Sequence, residues 1–296
     1  MTTINIMALR HSAFYSPLLV TMAGGYLRDV GLDYTYQLAT PELTIEKQIT
    51  EGKCHLAQSA VATSFAAFES GQNSSLRHIA QINERDGFFI VSREKNPDFH
   101  WHDLIGKEVL VDHFFQPYAM LNYGLKQREI DISQIHVIDA GNVQEIESAF
   151  RNGTADFAHM QGPVPQQLEA DGVGYVVAAV GDLVGPVAFS SLVADSAWLQ
   201  TEMARAFMLA YKKARAFVIA ASADEIAQLM FEAGFFPDID QQVLINTVKA
   251  YKNLGCWTDD INISEKAYNT LLDVFVYNGL IKQRFPYQSV IASGPA

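Results

Sequence analysis

Over its first two thirds, this chain alternates short apolar runs of strand length with segments of helical spacing. No other feature limits the fold as strongly. Residues 4–9 (INIMAL) read as a strand, 17–28 as a helix ending near Gly31, 33–38 as a strand, and 41–51 as a helix stopped by Gly52. Residues 55–59 form a short strand, 60–69 an Ala-rich helix ending at Gly71, and 76–82 and 88–92 two more strands. The stretch 93–98 (REKNPD) is polar and turn-rich, and reads as a linker. The alternation then resumes, with strands at 108–111, 134–138, 156–160, 175–180 and 187–193 and helices at 117–127, 143–152 and 163–170. Residues 181–186 (GDLVGP) read as a second linker. Strands separated by helices of this length mean βαβ units and a mainly parallel sheet. Beyond residue 196 the reading is helical throughout: 196–221, 223–233, 240–254 and 264–277. Ser222 and Ser264 are placed as N-caps there, and Gly234, Gly255 and Gly279 as stops. The tail from Pro286 reads as irregular.

A chain of 296 residues holds two domains or one large one. With 49% hydrophobic residues it needs no disulfide or metal to bury a core. The net charge of −12 carries no basic footprint for nucleic acid. The densest basic group, Lys212, Lys213 and Arg215, reads as a solvated helix face. Cys54 and Cys256 lack any metal-type or redox spacing and read as buried thiols. Charges interrupt every apolar run before membrane-spanning length, so no membrane insertion is expected. Thr2 and Thr3 lead straight into the first strand without an apolar leader segment, so the chain as written reads as unexported.

In order along the chain come a polar-aromatic loop at 10–17 (RHSAFYSP), AGGYLRDVGLDYTY from Ala23, ITEGKCHLAQSAVATSFAAFESGQ from Ile49, and DLIGKEVLVD from Asp103. FRNGTADFAHMQGPVPQQLEADG from Phe150 and CWTDDINISEKAYNTLLDVFVYNGLI from Cys256 follow. Together these segments resemble the SsuA/THI5-like (NMT1-like) group of ABC-importer substrate-binding proteins. The resemblance covers nearly the whole chain and implies a two-lobed periplasmic-binding-protein type II fold. Each lobe would be a mainly parallel α/β sheet flanked by helices, with a helical C-terminal third. Lobe one would hold residues 1–92 plus 187–296 and lobe two residues 93–186, with the ligand cleft between them. It also implies a small-molecule ligand, an ABC permease as partner, a monomer, no cofactor, and a periplasmic or extracytoplasmic place, against which the missing leader keeps a cytoplasmic one open.

In open α/β sheets, ligands bind beyond the carboxyl ends of strands, near helix N-termini that offer free N–H groups. After the first strand lie Arg10, His11, Ser12, Phe14 and Tyr15. Arg10 suits a carboxylate, sulfonate or phosphate, and the two aromatics suit a ring. Ser59 and Thr63 follow the third strand, and Asp112, His113 and Phe114, with Phe115 and Gln116, follow the first strand of the second block. Asp112 suits a ligand amine or amidine, His113 donates or accepts near neutral pH, and Gln161 suits an amide or pyrimidine edge. The plain alternatives are helix capping by Ser12, Ser59 or Asp112, a solvated Arg10, and core Phe residues.

No catalytic or metal-ligating residues are assigned. GxSxG, P-loop and GxGxxG signatures are absent. His100 and His102 have no third ligand at a fixed spacing. The resemblance to fungal THI5-type enzymes, which build a pyrimidine from pyridoxal phosphate, fails at the reactive positions. Ser59 and Thr63 stand where those enzymes have Lys and His, and residues 185–190 hold no cysteine. The expected function is capture of a thiamine-precursor pyrimidine-like ring, or second a sulfonate-like anion. The alternative is a leaderless cytosolic enzyme or sensor on the same fold, as in menaquinone-pathway enzymes.

Overall fold

The computed structural model describes residues 1–71 and 74–295. The first block comprises β1 (Thr2–Ala8), α1 (Ser16–Ala23), α2 (Tyr26–Asp29), β2 (Leu32–Leu38), α3 (Ile45–Thr50), β3 (Leu56–Ala60), α4 (Thr63–Glu69) and β4 (Leu76–Asn83). The second comprises β5 (Phe88–Ser92), β6 (Glu108–Val111), α5 (Gln116–Gln127), β7 (His136–Ile138), α6 (Val143–Arg151), β8 (Phe157–Gln161), α7 (Val164–Ala170), β9 (Tyr175–Ala179) and α8 (Val180–Val184). Then come β10 (Ser190–Asp195) and the helices α9 (Glu202–Ala220), α10 (Ala223–Glu232), α11 (Gln241–Leu254), α12 (Glu265–Tyr277) and α13 (Tyr287–Val290).

The strands form two five-stranded sheets with matching orders, β2-β1-β3-β10-β4 and β7-β6-β8-β5-β9. In each sheet one strand runs against its neighbours. β10 is antiparallel to β3 and β4, and β5 is antiparallel to β8 and β9. The chain is therefore a two-lobed α/β protein. Both inverted strands lie inside their sheets, so every β5 residue is buried and nearly every β10 residue with it. Double-sided burial explains why β5 (FFIVS) reads as a nearly unbroken apolar run rather than an alternating one, while β10 (SSLVAD) buries its two serines.

Several sequence expectations shift. Residues 88–92 were placed in the first lobe, but β5 hydrogen-bonds into the second sheet. The polar 93–98 stretch is thus a loop inside the second lobe, and the first crossing lies at residues 84–87. Turn-forming composition marks where a chain bends, not which sheet receives the next strand. Residues 181–186, read as a linker, begin inside helix α8. The helix expected over 17–28 breaks at Gly24 and Gly25, where Gly25 takes φ 79. Arg215 is not on a solvated face. It is 1% exposed and donates to the carbonyls of Gln81, Ile82 and Thr258 at 2.7–3.1 Å, tying α9 to the end of β4. Local caps follow the sequence more closely: Ser222 forms a capping box with Glu225, and Ser264 caps α12.

The two crossings run beside each other, Val187 N donating to Glu84 O at 2.8 Å. Phe14 is packed into this hinge, its ring against Tyr251 at 4.9 Å and Phe189 at 5.5 Å. A methyl group on Gly87 would collide with that ring, so the first crossing requires glycine there. Tyr251, from α11, donates to Gly87 O at 3.2 Å and accepts from Gly162 N at 2.8 Å. One phenol thus joins the hinge to the end of β8.

Buried titratable groups lie beside this region, Asp86 and His159, and within the first lobe, His78. Burial pushes the Asp86 carboxyl up to about 8, although Phe88 N donates to it at 2.7 Å. Burial lowers His159, stacked on Phe88 at 4.6 Å, to about 4, and His78, held between Ser64 and Ser191, to about 3.

Gly87→Ala overpacks the hinge against a ring that has nowhere to move; urea denaturation is expected to show a loss of about 1–3 kcal/mol. The buried groups also set a pH profile. Between the Asp86 unfolded value near 4 and its folded value of about 8, only the folded state holds that proton, so Asp86 lowers stability as pH rises through this window. The two histidines act oppositely: below about 6.5 the unfolded state binds their protons first, so stability falls as pH drops toward 4. Thermal melts across pH are expected to show that Asp86→Asn flattens the decline between pH 6.5 and 8 and leaves the acid limb in place.

Candidate functional site

Between the two lobes lies an open cleft of about 750 Å³. Its walls come from the loops after β1, β6, β7 and β8, where carboxyl ends of strands meet helix N-termini. Arg10, His11 and Ser12 face it from the first lobe; Asp112, His113, Phe114 and Gln161 face it from the second. Seven of the residues singled out in the sequence therefore share one cleft.

Arg10 reaches across it. Its Nη1 donates to Asp112 Oδ2 at 2.8 Å and its Nη2 to Asp112 Oδ1 at 3.2 Å, a bidentate pair joining the lobes. Asp112 Oδ1 also accepts from Phe114 N at 2.8 Å, which fixes the carboxylate's orientation. The Arg10 guanidinium lies over two rings, 4.7 Å from the centre of Phe114 and 5.7 Å from that of Phe88. Phe114 is itself 53% exposed at the rim. The next residue, Phe115, has φ 36, an unfavourable conformation for a side chain of this size, and packs against Phe275 of α12 at 5.2 Å.

Ser12 is buried, with its hydroxyl donating to Gly162 O across the cleft at 2.6 Å and accepting from Phe14 N at 3.1 Å. It caps, as the plain reading had it, and also bridges the lobes. The His11 ring sits between the Tyr36 hydroxyl at 3.0 Å and Phe235 O at 2.7 Å, and burial lowers its pKa despite the second contact. His113 stacks on Tyr118 and bonds Val111 O through Nδ1 at 2.8 Å.

Four more of them lie elsewhere. Phe14 is in the hinge core, fully buried. Tyr15 borders a small inner cavity of about 30 Å³ behind Arg10, and burial pushes its phenol up to about 12. Ser59 and Thr63 pair with each other at 3.0 Å and border a separate cavity of about 200 Å³ within the first lobe.

The inner cavity also touches Phe88, Gln116, Gln161 and Phe189. The Gln116 amide is oriented by its Nε2 donating to Phe189 O at 3.1 Å, which leaves Oε1 buried without a partner. Gln161 Nε2 is likewise buried and unpartnered. Phe88 and Phe189 escaped the sequence reading because an apolar residue in an apolar strand looks like core. Only the position of β5 beside β8 turns Phe88 toward the cleft.

Arranged this way, the cleft offers ring faces, one carboxylate paired to one guanidinium, and buried amide groups short of partners. That is the equipment to hold a small planar or polar molecule between two closing walls.

Comparison with known proteins agrees. The chain is 27% identical over 98% of its length, and 88% of the other, to the Bacillus subtilis (strain 168) protein named "Putative binding protein YtlA". Among solved structures it resembles the ligand-binding component of an ABC-type import system from Staphylococcus aureus with zinc bound, with a TM-score of 0.74 and 16% identity over 99% of this chain and 97% of that one. It also resembles the alkanesulfonate-binding protein SsuA of Xanthomonas axonopodis pv. citri bound to MOPS, with a TM-score of 0.73 and 14% identity over 99% of both chains. At such identities these structures speak for the fold. The profile described as NMT1/THI5 like matches residues 13–224, well over half of the chain, and the chain belongs to that family.

Proposed function

We propose that this chain is the solute-binding protein of an ABC importer and captures a small polar or heteroaromatic molecule in the cleft between its lobes. The observation that carries this reading is the cleft of about 750 Å³, bordered by both lobes and by loops at strand ends. That volume lies within the usual range for small-molecule sites, roughly 300–1,000 Å³. The names of all three relatives described above speak of binding or ligand binding. Taking sheet membership as the guide, this reading puts β1–β4 and the chain from β10 onward in lobe one, to Asn83 and from Ser190, and the residues between in lobe two. The same reading implies a membrane permease as partner, an extracytoplasmic place of work and a monomer. Among the described residues, no helix is long and apolar enough to cross a membrane.

A panel of nitrogen heterocycles, amidines, alkanesulfonates and nitrate, followed by thermal shift, tests the reading. A ligand at a hundred times its Kd is expected to add about 2.7 kcal/mol of stability and to be recovered unchanged. Leu38 lies in the cleft wall and is exposed, so Leu38→Trp narrows the site without touching the core. It is expected to weaken binding about tenfold or more, about 1.4 kcal/mol, with the unliganded melting temperature preserved. Recovery of a chemically converted ligand would point to an enzyme instead.

A further inference from the structure

The cleft's main cation is already spoken for. Among the described residues, Arg10 is the only Lys or Arg bordering the cleft and its inner cavity, and both of its terminal nitrogens are engaged by Asp112. A second carboxylate, Asp139, borders the same space. An entering anion would meet one paired guanidinium and two carboxylates, and would have to pull Arg10 from its partner.

The surroundings of the Arg10 head group describe a receptor. A carboxylate, held by Phe114 N, accepts from both of its terminal nitrogens. The guanidinium carbon lies over the ring of Phe114 at 4.7 Å and over that of Phe88 at 5.7 Å. Behind it lies the inner cavity, with Gln116 Oε1 and Gln161 Nε2 buried and without a well-formed hydrogen bond among the described residues, Gln161 lying beside the Tyr15 phenol; the two residues are only 4% and 7% exposed. An acceptor and a donor left unpaired in a site of low polarity are costly unless something else pairs with them. The cleft and the inner cavity share Arg10, Phe114 and Gln161 as walls, so withdrawal of the Arg10 side chain joins them into one space.

Building on the cleft-binding reading, we infer that Arg10 occupies this slot as an internal stand-in for the ligand, and that the slot is built for a planar cation of amidinium geometry. Such a group presents two N–H donors in one plane, which matches the Asp112 carboxylate bidentately, and offers a flat face to each ring. The ligand displaces Arg10 toward solvent, keeps the Asp112 charge paired, and extends its remaining polar atoms to Gln116 and Gln161. Arg10 thereby keeps Asp112 from standing unpaired in the unliganded closed form and sets a threshold that weakly matching solutes do not cross.

Calorimetric titration with two probes, benzamidine and ethanesulfonate, tests this on the wild-type chain, Arg10→Gln and Asp112→Asn, each first shown to be folded by its melt. Removing the stand-in is expected to tighten benzamidine binding tenfold or more in Arg10→Gln. Removing the carboxylate is expected to abolish benzamidine binding in Asp112→Asn and to let the freed Arg10 bind ethanesulfonate. Phe114→Ala, at an exposed side chain, supplies a check that leaves both charges in place: benzamidine binding is expected to fall several-fold. Ethanesulfonate bound best by the wild type and lost in Arg10→Gln, with benzamidine silent throughout, would overturn the stand-in and make Arg10 an anion receptor, while leaving the cleft as the binding site. Neither probe binding to any folded variant would overturn the slot. The cleft reading would still be judged by the Leu38→Trp result, which does not depend on Arg10.

Discussion

Everything in this molecule hangs on two inverted strands. β10 enters the first sheet between β3 and β4 after the whole second lobe has been laid down, and β5 enters the second sheet between β8 and β9. Each sheet is therefore completed by a strand that lies next to a crossing, and the chain must pass between the lobes twice at one place. This constraint creates the hinge, and it points the carboxyl ends of β1, β6 and β8 at a common gap. The cost is a set of pairings far apart in sequence, such as Ser191 with Ser59, which close long loops before they gain contacts.

The hinge is held by packing rather than by charge. Phe14 fills it, glycine at position 87 makes room for the ring, and the Tyr251 hydroxyl joins Gly87 to Gly162. Trp257 adds donations to Phe14 O and Asn83 Oδ1 at 3.1 and 2.9 Å. The helical C-terminal third thereby braces the lobes from behind, with α11 against α7 and α12 against α5. Buried Asp86 fits the same logic. A carboxyl buried in the hinge is easier to keep protonated than charged.

At the mouth of the gap, the forces are electrostatic and aromatic. Arg10 and Asp112 attract each other across the lobes, in a setting where water still reaches the guanidinium but barely the carboxylate. Such a pair contributes little to net stability, because desolvation offsets most of the attraction. Its consequence is for selection: it decides which charges a solute must bring in order to replace one partner.

From the chain alone one could read the order of strands and helices, the N-caps at Ser222 and Ser264, and the loops that border the cleft, because these depend on periodicity and on residues within a few positions of each other. The cleft residues Arg10, His11, Ser12, Asp112, His113, Phe114 and Gln161 were legible for the same reason, each standing at or just beyond the end of a strand. Tertiary structure alone decided that β5 belongs to the second sheet, that Phe14 turns into the hinge, that Ser59 and Thr63 face another cavity, and that Arg215 is buried under carbonyls. It alone brought Arg10 to Asp112, 102 positions away. Periodicity reports that a side chain is to be buried, but not by which neighbour. That choice is made when distant segments compete for the same surface, and only the packed chain resolves it.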